Sequence, residues 1–570
     1  MKGETHLSTL FLAMRRLRAP LITLISIYAV SVLGLTLVPG NDGDGMSFFH
    51  AFYFISYTAT TIGFGEIPET FTDEQRLWVL ICIYMAVIGW AYTLGSLFAL
   101  LQDKTFQDAV FTERFTRVVS RMTEPFYLIA GYGETGRLVV RALDRMGVRA
   151  VVLETDARRV GEVDLHNHYA DIPVLGADAS NPSHLRMAGL GKPNCRGVLA
   201  LTNDDHANLA IAISARLLAP KTPALCRAES IEVGANMASF GTRHIINPYE
   251  KFAEYLAQAL HAPNSYHLLT WLTGQPGATV TRHRDPPIGK WVLCGYGDFG
   301  RILVEAFDQE DVPVTIIDRE PGEQDGHRHV RGDGTGAAVL ERANIQHAVG
   351  IVASTGDDMD NLSIVMTARE LNPDLFVILR MNHYTNHELF EAFEADVTVV
   401  PSQIIANECL AVVTTPLLEP FLKEIHDRDD EWSQKLLERL TGRFGWDAPH
   451  VWSVRLNLRE APALYKRLMN DQEEITIGQL LRSPHNRNAP LDAEAVYLQR
   501  DDDDHLIDPS PSTRLRPGDE LLMVGMRPSR HAFSLTLDNE HSLTYVLTGN
   551  ELPGGLIWEW FARRSRQNGH

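Results

Sequence analysis

The sequence predicts three kinds of fold in series: a two-span membrane α-helical domain, two α/β domains of Rossmann type, and a small α+β C-terminal part. Three observations predict it. Two long stretches near the N-terminus carry no charge. A glycine-rich segment follows an aromatic, helically spaced run between them. The rest of the chain contains one internal repeat, each copy opening on strand, GxGxxG and helix.

The two apolar stretches are Leu21 to Val38 and Trp78 to Leu101. A bilayer core of about 30 Å takes roughly 20 helical residues, so each is long enough to span. No later stretch is as long and free of charge, which leaves the remainder soluble. Arg15, Arg16 and Arg18 precede the first span, whereas Asp42, Asp44, Glu66, Glu69, Asp73 and Glu74 crowd the connection against a single Arg76. The positive-inside rule then puts the N-terminus and the C-terminal bulk in the cytoplasm, with the protein multi-pass in the cell (inner) membrane and lipid around it. A secretory signal peptide over residues 1–38 is the competing assignment, but no small-residue cleavage site follows and a second span comes soon after.

The net charge of −20 argues against a nucleic-acid partner, which needs a basic face. Cys82, Cys195, Cys226, Cys294 and Cys409 are scattered, with no CxxC pair, as expected of reduced, mostly buried thiols.

Between the spans, Met46 to Thr58 is apolar and aromatic, with Phe48, Phe49, Phe52 and Ile55 at helical spacing. It reads as a short helix dipping into the membrane. Thr60-Thr61-Ile62-Gly63-Phe64-Gly65-Glu66 follows. Irregular backbone at membrane depth is tolerated only where it lines a cavity or is packed in protein. Alternate glycines let successive carbonyls face one side, because glycine takes positive φ at little cost. A ring of such carbonyls replaces the water shell of a dehydrated potassium ion. One strand supplies one wall, so four chains must meet around an axis.

Thr61-Ile62-Gly63-Phe64-Gly65 resembles the TVGYG selectivity filter of potassium channels. That resemblance implies potassium sites made by the carbonyls of Thr61, Ile62, Gly63 and Phe64 and by the Thr61 hydroxyl. Ile62 keeps the β-branched side chain. Phe64 lacks the hydroxyl that often bonds the pore helix, and Glu66 stands where Asp is commoner. No arginine-rich voltage-sensing helix precedes Leu21, so the expected gate answers to something other than voltage. Gly89 and Gly95 in the second span are each either a hinge or a point of close helix packing. Leu97 and Leu101, near its cytoplasmic end, are candidates for a constriction that closes by dewetting.

Residues 102–124 read as a partly helical linker. The repeat then pairs Phe126 to Gly136 with Trp291 to Gly300, Ala150 to Glu154 with Val314 to Asp318, and Gly176-Ala-Asp178 with Gly332-Asp333. It also pairs Val198 to Thr202 with Ile351 to Thr355, and Asp205 to Asn208 with Asp357 to Asn361. Gly131 and Gly133, like Gly295 and Gly297, permit backbone to approach a phosphate at a helix N-terminus. Gly136 and Gly300 permit close helix–strand packing. Glu134, Thr135, Asp298 and Phe299 complete the two fingerprints. Glu154 and Asp318 are the candidate acceptors for ribose hydroxyls, and an acid there favours NAD or an adenosine phosphate over NADP.

The repeat is similar to the RCK (KTN, TrkA-N) family of potassium-conductance regulators. The match extends to the element holding Asp178 and Asp333 and to long helices after each half, Asn247 to His261 and Pro401 to Ile425. Arg516 to Gly525 looks like the end of the small C-terminal subdomain common in that family. Taken whole, the chain resembles prokaryotic two-transmembrane channels with tandem RCK domains. The resemblance implies a homotetramer whose eight RCK units form a gating ring under the pore, with NAD or ADP and possible Ca²⁺ as regulators. The expected domains are 1–20, 21–101 (pore), 102–124, 125–287 (first RCK), 288–425 (second RCK) and 426–570.

An enzyme is not expected. No Tyr-x-x-x-Lys or similar catalytic pattern accompanies the fingerprints, and His166, His168 and His184 are unpatterned. A membrane-anchored NAD-dependent regulator or oxidoreductase is the alternative. Asp501 to Asp504 with His505 is either a divalent-ion site or a solvated turn, and the sequence does not place a Ca²⁺ site.

Overall fold

The structure is a computed structural model. It describes residues 4–41, 43–65, 70–165, 169–274, 276–277, 284–320, 326–470, 474–501 and 504–550. Glu66, His166, His168 and the middle of the Asp501–Asp504 run lie outside the described residues, as do Asp42 and Glu69. The chain divides into two compact units, one built largely on residues 1–123 and one largely on residues 124–570.

The first unit is helical. An outer helix (Glu4–Leu37), a pore helix (Phe48–Ala59), an inner helix (Asp73–Gln102) and a linker helix (Lys104–Arg121) follow in order. Two of them carry stretches long and apolar enough to cross a membrane, Met14–Leu37 and Asp73–Gln102. Ser47 caps the pore helix, and Thr72 with Gln75 forms a capping box that starts the inner helix. The hairpin closes around Val32, Leu35, Phe54, Ile55, Val79 and Cys82. One close contact in it escaped the sequence reading. A Cβ on Gly34 would fall 2.0 Å from the Trp78 indole, whose N–H donates to the Ser31 carbonyl at 3.2 Å.

The second unit holds two parallel six-stranded sheets and one antiparallel sheet. The first sheet comprises β1 (Phe126–Ala130), β2 (Arg149–Glu154), β3 (Val174–Gly176), β4 (Cys195–Ala200), β5 (Ala224–Arg227) and β6 (His244–Ile246). The second comprises β7 (Trp291–Cys294), β8 (Val314–Asp318), β9 (Arg328–Arg331), β10 (Gly350–Ala353), β11 (Phe376–Arg380) and β12 (Val397–Val399). The orders are β3-β2-β1-β4-β5-β6 and β9-β8-β7-β10-β11-β12, the same doubly wound topology twice. The third sheet, β13 (His450–Arg455), β14 (Ala493–Asp501), β15 (Asp504–Ile507) and β16 (Glu520–Gly525), runs in the order β13-β16-β14-β15. Its core packs helix residues Leu464, Phe533, Leu537 and Leu543 against Ala493, Leu498, Leu521 and Met523.

After each parallel sheet comes a crossover helix, Pro248–His261 and Pro401–Thr414. They are exchanged between the copies. The first packs on the 298–309 helix of the second copy, and the second packs on the 134–145 helix of the first. Tyr249, Phe252, Leu256 and Leu260 thus share a core with Trp291, Phe299, Leu303 and Phe307.

The expected single helix from Pro401 to Ile425 is corrected: it is two helices, Pro401–Thr414 and Leu418–His426, bent by 115°. Thr415 precedes Pro416, and a residue before proline is driven out of the helical region. The first copy breaks identically. Ala262 precedes Pro263 with φ −139° and ψ 73°, against −141° and 69° for Thr415. Leu268, Trp271 and Leu272 beyond the first break then meet Leu418, Phe421 and Ile425 beyond the second in one core.

Candidate filter and nucleotide sites

Thr61, Gly63 and Gly65 have φ of 61°, 58° and 72°, so every second residue of the segment is left-handed. This alternation turns successive carbonyls toward one side. For Gly63 and Gly65 it costs little; for Thr61 it stores strain of about 1–2 kcal/mol. The pore helix holds the strand in place: the Tyr57 carbonyl accepts the N–H groups of Ile62 (3.0 Å) and Gly63 (3.2 Å). The Tyr57 ring meets Phe64 edge-on at 6.1 Å. Tyr57 was not singled out in the sequence. Ile62 and Phe64 are 60% and 68% exposed.

In the inner helix the two glycines part company. A Cβ on Gly89 would lie 2.6 Å from Ile27, so Gly89 serves close packing against the outer helix. At Gly95 nothing lies within 4 Å. Leu97, Phe98 and Leu101 are exposed.

Both GxGxxG loops have the geometry their glycines require. Gly131 and Gly295 have φ of 97° and 99°. A Cβ on Gly136 would fall 2.0 Å from the Gly131 carbonyl oxygen, and one on Gly300 would fall 2.1 Å from that of Gly295. Gly133 and Gly297 are the N-caps of the helices that follow, and neither helix has a side-chain cap. Each therefore presents free N–H groups at its start.

The acids at the ends of β2 and β8 differ. Glu154 is 5% exposed and accepts the N–H groups of Tyr132 (2.6 Å), Thr155 (2.7 Å) and Asp156 (2.9 Å), with the Thr155 hydroxyl at 3.2 Å. Asp318 is half-buried and, among the described residues, accepts from Tyr296 N–H (2.7 Å) and Glu320 N–H (2.9 Å). Asp178 and Asp333 are exposed and cap their own turns, through Ser180 N–H and through Thr335 N–H and hydroxyl. The Ser180 and Thr335 hydrogen bonds hold both carboxyls below the usual range.

Residues the sequence reading passed over tie each site to the other copy. Glu134 accepts the N–H of Tyr384 (2.9 Å) and the hydroxyl of Ser402 (3.4 Å), the latter in the second crossover helix. In the reciprocal contact Phe299 packs on Tyr249 of the first crossover helix at 5.2 Å. The Arg380 guanidinium lies over both rings, at 4.9 Å from Tyr249 and 5.4 Å from Phe299, and donates to the Tyr249 hydroxyl at 2.8 Å. Burial pushes the Tyr249 hydroxyl up to about 12. Thr135 is buried, and its hydroxyl has no partner among the described residues. Asn208 and Asn361 are fully buried, and each joins the ends of two strands of its sheet through four hydrogen bonds. The aspartate-to-asparagine match of the two copies was their signal.

Burial pushes Cys195 to about 11 and Cys226 to about 12, and all five cysteines are free and buried. Among the described residues no group of three His, Cys, Asp or Glu side chains is placed to hold a metal ion.

Comparison with known proteins agrees with this architecture. An ion channel family model matches residues 21–103, and a TrkA-N domain model matches residues 127–248 and 291–401. Potassium channel protein 1 of Methanocaldococcus jannaschii is 25% identical over 282 residues, which is 49% of this chain and 80% of that protein. Probable potassium channel protein 2 of the same organism is 23% identical over 230 residues, 39% of this chain and 64% of that protein. The solved structure described as the GsuK channel bound to NAD is 19% identical, covers 93% of this chain and 99% of its own, and has a TM-score of 0.46. The chain thus carries an ion channel domain followed by two TrkA-N domains and is homologous to potassium channel proteins.

Proposed function

We propose that four copies of this chain form a potassium-selective channel in the cell (inner) membrane, opened or closed by a nucleotide bound to the cytoplasmic RCK domains. The observation that carries the pore half is the alternating left-handed backbone at Thr61, Gly63 and Gly65 between two spans. Carbonyls of Thr61, Ile62, Gly63 and Phe64 from four chains replace the hydration shell of K⁺. Leu97 and Leu101 form the constriction. Gly95, with open space around it, is the better hinge of the two glycines.

The sensing half rests on two loops in which glycine geometry leaves N–H groups free to meet a phosphate. NAD or ADP is the ligand class, and eight RCK units under the pore form the gating ring. Moving the gate from 1% to 99% open takes about 5.5 kcal/mol of differential binding. Four sites preferring the open state about tenfold each supply roughly 1.4 kcal/mol apiece, which suffices. Calcium enters this reading as a further regulator whose site the sequence does not place.

The test is recording from purified protein in lipid bilayers, with NAD, ADP or Ca²⁺ added on the cytoplasmic face. Selective K⁺ current whose open probability changes with nucleotide is expected. Equal Na⁺ and K⁺ currents would refute the pore, and indifference to both nucleotides would refute the sensor.

A further inference from the structure

Resting on the nucleotide reading above, we infer that the second Rossmann unit alone takes the nucleotide, one molecule per chain, and that the first is closed by its own side chains. The two fingerprints share the GxGxxG pattern and differ in what surrounds it.

The ribose end differs first. A carboxylate offers about four acceptor positions. Glu154 receives four donors from within the chain, Thr155 N–H, its hydroxyl and Asp156 N–H on Oε1 and Tyr132 N–H on Oε2, and is only 5% exposed. Asp318 receives two N–H groups and stays half-buried. About two positions remain, the number that the adjacent hydroxyls of a ribose require.

The phosphate end differs in the same direction. At Gly297 nothing lies within 4 Å of where a Cβ would stand, so the mouth of the second loop is open. Over the first turn after Gly133, the Glu134 carboxylate is held by Tyr384 N–H and the Ser402 hydroxyl. An anion is thus already fixed where the helix dipole would draw a phosphate. Its counterpart Asp298 is exposed and has no hydrogen bond or ion pair among the described residues, so it is free to swing aside.

The local charge follows suit. Arg227 and Arg380 end the fifth strands of their sheets. Arg227 is paired with Glu229. Arg380 meets no carboxylate among the described residues, and its guanidinium sits over Phe299, in the first turn of the helix that would receive the phosphate. The second unit thus keeps Arg380 uncompensated for a diphosphate, whereas in the first Arg227 is paired with Glu229 and Arg159 lies 3.9 Å from both Glu154 and Asp156.

Calorimetric titration of the purified full-length channel in lipid nanodiscs, with NAD and separately with ADP, tests this. One molecule bound per chain is expected. Asp318→Asn removes a charged acceptor and should weaken binding by roughly tenfold or more. Gly297→Val should do the same by filling the open mouth; φ there is −77° and no atom is near, so the variant folds. Two molecules per chain, or one whose affinity survives both substitutions, would overturn the assignment while leaving nucleotide sensing intact. If wild-type protein binds neither nucleotide, the sensing reading falls and this assignment falls with it.

Discussion

Gly300 stands so close to Gly295 that a Cβ on the former would lie 2.1 Å from the carbonyl oxygen of the latter. Backbone, not a flexible side chain, is what a substitution would strike. Gly300→Ala should therefore destabilise the second Rossmann unit by roughly 1–3 kcal/mol, the usual cost of overpacking. A lowered thermal transition, with nucleotide binding lost at temperatures where wild type retains it, is the measurement.

Gly63 carries φ of 58° with no atom near its Cβ position. Gly63→Ala meets no clash, but pays about 1–2 kcal/mol to keep the left-handed carbonyl orientation. K⁺ flux into liposomes should collapse while the protein still purifies as the wild-type oligomer. Undiminished flux would mean that the carbonyl alternation is not what conducts.

The inner-helix glycines should separate by experiment. Gly89→Val drives a side chain into Ile27 and should lower thermal stability. Gly95→Ala meets nothing and should raise helix stability by about 1 kcal/mol. If Gly95 is the hinge, that same variant shifts open probability toward closed in single-channel records.

Asn361 bonds Thr355 N–H, its hydroxyl and its carbonyl, and the Arg380 carbonyl, all from a fully buried position. Asn361→Leu leaves those backbone groups without partners, at a cost of roughly 1–3 kcal/mol for each that water cannot reach. Hydrogen exchange should accelerate at β10 and β11, and Asn208→Leu should do the same at β4 and β5.

Burial, then Arg530 and Arg527, holds the His450 imidazolium below its ordinary range. The unfolded chain therefore takes up its proton first. The stabilising contribution is complete above about pH 6.5 and is lost as pH falls through that value toward the lowered one. The thermal transition of the C-terminal part should drop on acidification, and His450→Gln should flatten that dependence.

Much of this molecule is written in one-dimensional patterns. Charge-free runs reveal spans because the bilayer sets their length, and the repeat reveals two Rossmann units because strand, glycine loop and helix keep a fixed order. What stayed illegible depends on partners distant in the chain. Glu154 and Asp318 read alike in sequence, and only packing shows one at 5% exposure with four donors and the other half-buried with two. Glu134 gave no sign of its bond to Tyr384, 250 residues away. The break at Thr415 has a local signal, Pro416, which drives the residue before it out of the helical region. Tyr57 and the contact of Gly34 with Trp78 needed the hairpin to be closed before they acquired meaning.

The exchange of crossover helices has a thermodynamic consequence. Each Rossmann unit completes its partner's core, yet both belong to one polypeptide. Their association is unimolecular, with the linking segment setting an effective concentration that dilution cannot lower. The pair should hold together at any protein concentration, so its response to a ligand reports a change of shape and never a shift between assembled and dissociated halves.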